Sequence, residues 1–219
     1  RDGGLHVRRQ VGCEDYVLAD RALDHVADIA DQPEAPTFEN TLAAMERSGQ
    51  LLTRAATVFY NLVSANTNDA LEAIRSDLAP KLSAHNDQIL LNPKLFGRVE
   101  ALYQQRDKLQ LDSESRRLIE EYYNDFVRAG ARLSEADKDS LKAINAELAS
   151  LQTTFSQNVL NEVNAAAIIV DTPGELAGMP QDAIEAAAQA ARERGLDGKY
   201  VIALLNTSGQ PPLATLQNR

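Results

Sequence analysis

SEADKDSLKAINAELASLQTTFSQNVLNEVN, residues 134–164, is the stretch that decides the fold. Leu141, Ile144, Leu148, Leu151 and Phe155 recur at alternate spacings of three and four. That spacing places five large apolar side chains on one face of an α-helix. Ser134 opens the segment and no proline or glycine interrupts it, so one long helix is expected to about Asn164. The apolar face forms a seam for a neighbouring helix. It spans too few heptads to specify a free coiled coil, which favours packing within the chain.

Upstream the same grammar repeats. Val17, Leu18, Ala22, Leu23, Val26 and Ile29 mark a helix over 14–29, and Pro33 and Pro36 stop it. Thr37 is placed to cap the next helix, whose stripe (Phe38, Leu42, Met45, Leu52, Phe59, Leu62) runs to about Ser64. Asn68 can cap a helix to Leu91 that Pro80 is expected to kink or divide. Its inward residues are read as Leu71, Ile74, Leu78, Leu82, Ile89 and Leu90. Asn92-Pro93 restarts the chain as cap and first-turn proline, with Leu95, Phe96, Val99, Leu102 and Tyr103 inward. Asp112 or Ser113 opens a helix to Ala129, with Leu118, Ile119, Tyr122, Phe126 and Val127 on one side. Gly130 follows as the residue that can turn left-handed.

After Asn164 the pattern changes. Ala167–Val170 is β-branched, Asp171-Thr172-Pro173-Gly174 turns, Pro180–Arg194 is an alanine-rich helix, and Tyr200–Leu204 is a second short strand. The fold class is therefore mainly α: an antiparallel multi-helix bundle with a small two-strand-plus-helix insert near the C-terminal end. The expected organisation is a flexible lead-in over 1–13, a helical domain over 14–164 and a small α/β subdomain over 165–205. Residues 206–219 read as the start of a further helical region. Its apolar turn at Leu213–Leu216 stops at Arg219, which predicts continuation, and the absence of a leading Met predicts residues upstream.

Composition excludes several classes of function. A net charge of −10 over 219 residues repels phosphate, so nucleic acid is not an expected partner. No apolar run reaches membrane-span length and no signal-peptide segment opens the chain. Cys13 is alone and cannot form an internal disulfide, which leaves the redox compartment open.

The candidate chemical groups are few. His6, His25 and His85 are not spaced to share a metal, and no His-Glu-x-x-His motif occurs. His25 and His85 read as surface histidines. Glu120-Glu121 beside Tyr122-Tyr123 could suggest an acid pair, but adjacent helical residues diverge by about 100°. A solvated carboxylate face with a core-facing tyrosine is favoured. Asn61, Asn66, Thr67 and Asn68 could line a channel, although capping and turn formation account for them. Gly209 and Gln210 lack any phosphate-loop context. No catalytic, cofactor-binding or metal residue is assigned in this chain, and a hydrolase built on its own carboxylates has no distinctive acid pair to support it.

Several strings in order resemble the N-terminal region of bacterial peptidyl-dipeptidases of the Dcp type. These belong to the zinc metallopeptidase family of thimet oligopeptidase, neurolysin and oligopeptidase A. The strings are Pro36-Thr37-Phe38-Glu39-Asn40-Thr41, Ser48-Gly49-Gln50-Leu51-Leu52-Thr53-Arg54 and Leu111-Asp112-Ser113-Glu114-Ser115. They continue with Phe126-Val127-Arg128-Ala129-Gly130-Ala131, Leu176-Ala177-Gly178-Met179, Arg194-Gly195-Leu196-Asp197 and Leu204-Leu205-Asn206-Thr207. Residues 1–12 do not align with the family's usual opening.

The resemblance implies a helical enzyme with two halves around a deep channel. Zinc would sit in the half downstream of this chain, which would contribute a channel wall and be inactive alone. The reaction implied is release of C-terminal dipeptides from short peptide substrates. The partner implied is the downstream catalytic half of the same protein, in a monomer, in the cytoplasm or alternatively the periplasm. The alternative reading is a stand-alone helical protein-binding module.

Overall fold

The computed structural model describes residues 22–204, 210 and 214–217. The expected lead-in over 1–13 and most of the segment after Leu204 lie outside the described residues. The chain divides into two compact units, Arg1–Thr153 and Thr154–Arg219.

In the first unit, helix α1 occupies residues 22–30 and buries Ala22, Val26, Ile29 and Ala30. A π-helical turn, Glu39–Ala43, leads into α2, Ala44–Arg47. Thr37 and Asn40 cap it reciprocally: the Asn40 amide donates to Thr37 Oγ1 and the Thr37 amide to Asn40 Oδ1. The single helix expected from Thr37 to Ser64 is broken. Ser48 is extended and Gly49 is left-handed at φ +68°, so α3 starts afresh at Gln50–Asn66. The break rotates the buried stripe, and Val63 is buried where Leu62 was expected.

Helix α4, Asp69–Leu90, is one helix with Pro80 inside it, so of the two expectations, a kink or a division, it is the division that does not occur. Proline deletes one backbone bond. Ile74 and Leu78 before it, and Leu82 after it, pack with Phe59 and Val63 of α3, and these contacts hold the helix across the gap. The Asn68 side chain accepts from the Ala70 and Leu71 amides, and Asn92 likewise caps α5, Pro93–Gln105.

Helix α6, Ser113–Arg128, pairs with α5 around the principal core, where Leu95, Val99, Ile119 and Phe126 are fully buried. Tyr103 of α5 stacks on Tyr123 of α6 at 3.7 Å between ring centroids. Gly130 ends α6 at φ +99°, where the Ala131 amide reaches back to the Phe126 carbonyl.

Helix α7, Glu135–Ala165, is the long helix expected. Among the described residues, Leu141 at the start of its seam is half-buried, but Ile144, Leu148, Leu151 and Phe155 are 53%, 47%, 56% and 70% exposed rather than packed as expected. In the first unit it is the polar face that meets α4. Asn145 donates to Asp87 at 2.7 Å, and Arg75 donates to the carbonyl of Thr153, a buried residue. The rotation that satisfies those polar groups turns the apolar ridge outward.

In the second unit, β1 (Ile168–Val170) and β2 (Tyr200–Ile202) pair antiparallel, with Ile169 opposite Val201. Between them a 3₁₀ turn, Pro173–Leu176, is fixed by a Thr172/Glu175 capping box, and α8, Gln181–Glu193, packs on β2. Val170, Leu176, Ala187 and Ile202 form this unit's core. The mainly helical class and the small sheet near the C-terminal end are as the sequence predicts.

Candidate functional site

A hollow of about 700 Å³ opens in the first unit between α1, the α2–α3 break, α4 and α6. Leu52, Leu82, Ile89 and Leu90 give it apolar walls, and Tyr60, Asn61, His85 and Tyr122 supply polar edges. The Ser48-Gly49 break helps shape it, since both residues line the wall. A cavity of this size suits a small-molecule or side-chain guest.

Tyr122 donates its hydroxyl to Glu46 Oε1 at 2.5 Å, joining α6 to α2. Burial first, then that hydrogen bond and the Glu46 charge, push the phenol far above its ordinary value. Tyr122 is therefore a fixed donor and not a proton acceptor.

His85 departs from the surface reading. It is 8% exposed and lies on the hollow's wall. It falls at three-and-four spacing between Leu82 and Ile89, so the buried stripe of α4 carries it inward. His25 is exposed on α1, as expected. His6, Cys13 and Gly209 lie outside the described residues; Gln210 is half-buried.

The acid pair does not converge on a reaction centre. Arg106 and Arg117 bind Glu120 at 3.3 and 3.7 Å, and Arg117 also binds Glu121. Tyr123 accepts a hydrogen bond from Arg132, which also pairs with Glu100. The asparagine set divides. Asn61 lines the hollow, Asn68 caps α4, and the Thr67 hydroxyl donates to Glu72, while Asn66 ends α3.

Arg98 is the group the sequence reading missed. It is 6% exposed, on the buried face of α5. Its guanidinium donates to the Gln32 and Glu34 carbonyls at 3.1 Å, to Thr41 Oγ1 at 3.3 Å and to Asn40 Oδ1 at 2.9 Å. It ties the proline-containing link 31–36 to the core. Its place among Leu95, Val99 and Leu102 was the available signal.

Among the described residues, no group of three or more His, Cys, Asp or Glu side chains could hold a metal ion. No helix of the described residues is long and apolar enough to cross a membrane. The described residues thus form a helical scaffold with an apolar-walled hollow. They bring together no set of groups recognisable as a nucleophile with its base or as a metal cage.

No family profile matches the chain. It is similar to the N-terminal region of dipeptidyl carboxypeptidase: 45% identical over 194 residues to that of Escherichia coli, covering 89% of this chain and 28% of the relative. The dipeptidyl carboxypeptidase of Salmonella typhimurium is 45% identical over 191 residues, again covering 28% of the relative. Oligopeptidase A of Haemophilus influenzae is more distant, at 28% identity over 183 residues, 84% of this chain and 27% of the relative. These relatives agree with the resemblance to the thimet oligopeptidase family. The chain spans 28% of the length of the two dipeptidyl carboxypeptidases.

Proposed function

We propose that this chain is the non-catalytic N-terminal portion of a peptidyl-dipeptidase and shapes one wall of its substrate channel. The observation that carries the reading is the 45% identity to dipeptidyl carboxypeptidase over 89% of the chain. The reaction is hydrolysis of short peptides with release of C-terminal dipeptides. The acidic surface, at net −10, agrees with a protein that does not engage nucleic acid. In this reading the enzyme is a monomer, cytoplasmic or alternatively periplasmic, and its catalytic half lies downstream of the residues matched here.

In this reading the zinc is held by that downstream half; the described residues of this chain include no group of three or more His, Cys, Asp or Glu side chains placed to hold a metal ion. The described residues supply position and enclosure: a rigid helical face, a hollow lined by Leu52, Asn61, His85 and Ile89, and a proton-retaining Tyr122 at its edge. The test is metal analysis of the longer polypeptide encoded by the same reading frame, with peptidase assays before and after chelation. Bound zinc, with dipeptide release that chelator abolishes and zinc restores, is the expected result. A longer polypeptide that binds no metal and releases no dipeptide refutes the proposal.

A further inference from the structure

Among the described residues of the first unit, the apolar ridge of α7 is left exposed. Ile144, Leu148 and Leu151 are each about half exposed, at the spacing a partner helix reads. A second observation is independent of exposure. Between Glu147 and Glu162 the helix carries no charged residue over 14 positions, in a chain that is 25% charged. A helix face that stays in water has no reason to shed its charges; the core of a protein interface is depleted of them.

We infer that this ridge is the docking surface for a helix of the polypeptide that continues beyond the region matched here. The inference rests on the proposed function. Nearly three quarters of the length of the dipeptidyl carboxypeptidases lies outside the match, so the occupant is covalently attached in such a protein. Attachment supplies an effective concentration of order millimolar, which suits a small contact. Three half-exposed side chains offer on the order of a few hundred Å², against roughly 1,200–2,000 Å² for a stable separate complex. A second copy is disfavoured further, because each chain brings a net charge of −10.

The experiment compares the 219-residue chain with the longer polypeptide from the same reading frame. Leu148→Cys and Leu151→Cys are introduced singly into both, in a Cys13→Ser background. Asp107→Cys, at the exposed end of the α5–α6 link, is the reference. Maleimide labelling is timed under native conditions, and hydrogen exchange over 144–151 in the unsubstituted proteins provides a readout without variants.

The expected result is labelling near the reference rate in the short chain and roughly ten-fold slower in the longer one, at every protein concentration. Equal rates in both overturn the inference. So does protection of the short chain that grows with its own concentration, which identifies a second copy. Protection that appears only when a different protein is added identifies a stand-alone binding module and overturns it too. A reading frame that closes at Arg219 removes the occupant. Dipeptide release is assayed on the same samples. Activity with an unprotected ridge refutes the docking alone, whereas protection without activity refutes the proposed function alone.

Discussion

Replacing Arg98 by methionine removes the donors that hold residues 31–36 against α5 while keeping the length and apolar stem of the side chain. The guanidinium serves the Gln32 and Glu34 carbonyls, Thr41 Oγ1 and Asn40 Oδ1. A hydrogen bond from a charged donor contributes about 1.5–3 kcal/mol, and such terms do not add fully. The link is partly solvated, since Glu34 is exposed, so water can re-satisfy its carbonyl. Thr41 is fully buried and stays dry. Relief of the buried charge offsets part of the loss. The net expectation is a destabilisation of about 3 kcal/mol, or roughly 6–12 °C in Tm for a chain of this size. Arg98→Lys keeps the charge but cannot span from the Gln32 carbonyl to Asn40, and should recover less than half of the loss. Urea titrations followed by far-UV circular dichroism measure both. A methionine variant within about 0.5 kcal/mol of the parent would refute the assignment of Arg98 as the tie.

Three further outcomes follow from the geometry. Gly130→Ala places a Cβ at φ +99°, with Leu133 and Leu141 atoms at 2.8 and 2.9 Å; it should cost about 1–2 kcal/mol, and an unchanged urea midpoint would contradict the left-handed cap. Tyr122→Phe deprives Glu46 of its donor and should cost about 1 kcal/mol, read from the same titration, with no loss expected if the 2.5 Å bond is absent in solution. The Ser115 backbone and side chain hold the Asp112 carboxyl below the usual aspartate range. Its folded value lies below its unfolded one, so its contribution is complete above about pH 4 and is lost as pH falls through the folded value. Asp112→Asn should flatten the acid limb of stability against pH, and superimposable limbs would sink the point.

Most of the helical architecture was legible because it rests on local rules: caps at Asn68, Asn92 and Asp112, and the left-handed Gly130. Errors arose where tertiary contacts overrode a local rule. Pro80 does not divide α4, one of its two expected effects, and apolar contacts flank it on both sides. The Ser48-Gly49 break was hidden by a stripe that looks continuous when leucines are counted without regard to the glycine. His85 and Arg98 sit at core spacing in their helices; polarity alone set His85 on the surface, and Arg98 drew no reading at all. Spacing marks the apolar face of α7, but the packing within the chain expected of it is not seen for Ile144, Leu148, Leu151 and Phe155 among the described residues.

The central claim is a division of labour between a scaffold in this chain and catalysis beyond it. It is tested most directly by mass spectrometry of a short peptide incubated, in buffer containing zinc, with the 219-residue chain or with the longer polypeptide. The account predicts an intact peptide in the first case and a ladder shortened by two residues at a time from the C-terminus in the second. The same ladder produced by the 219-residue chain alone would contradict it.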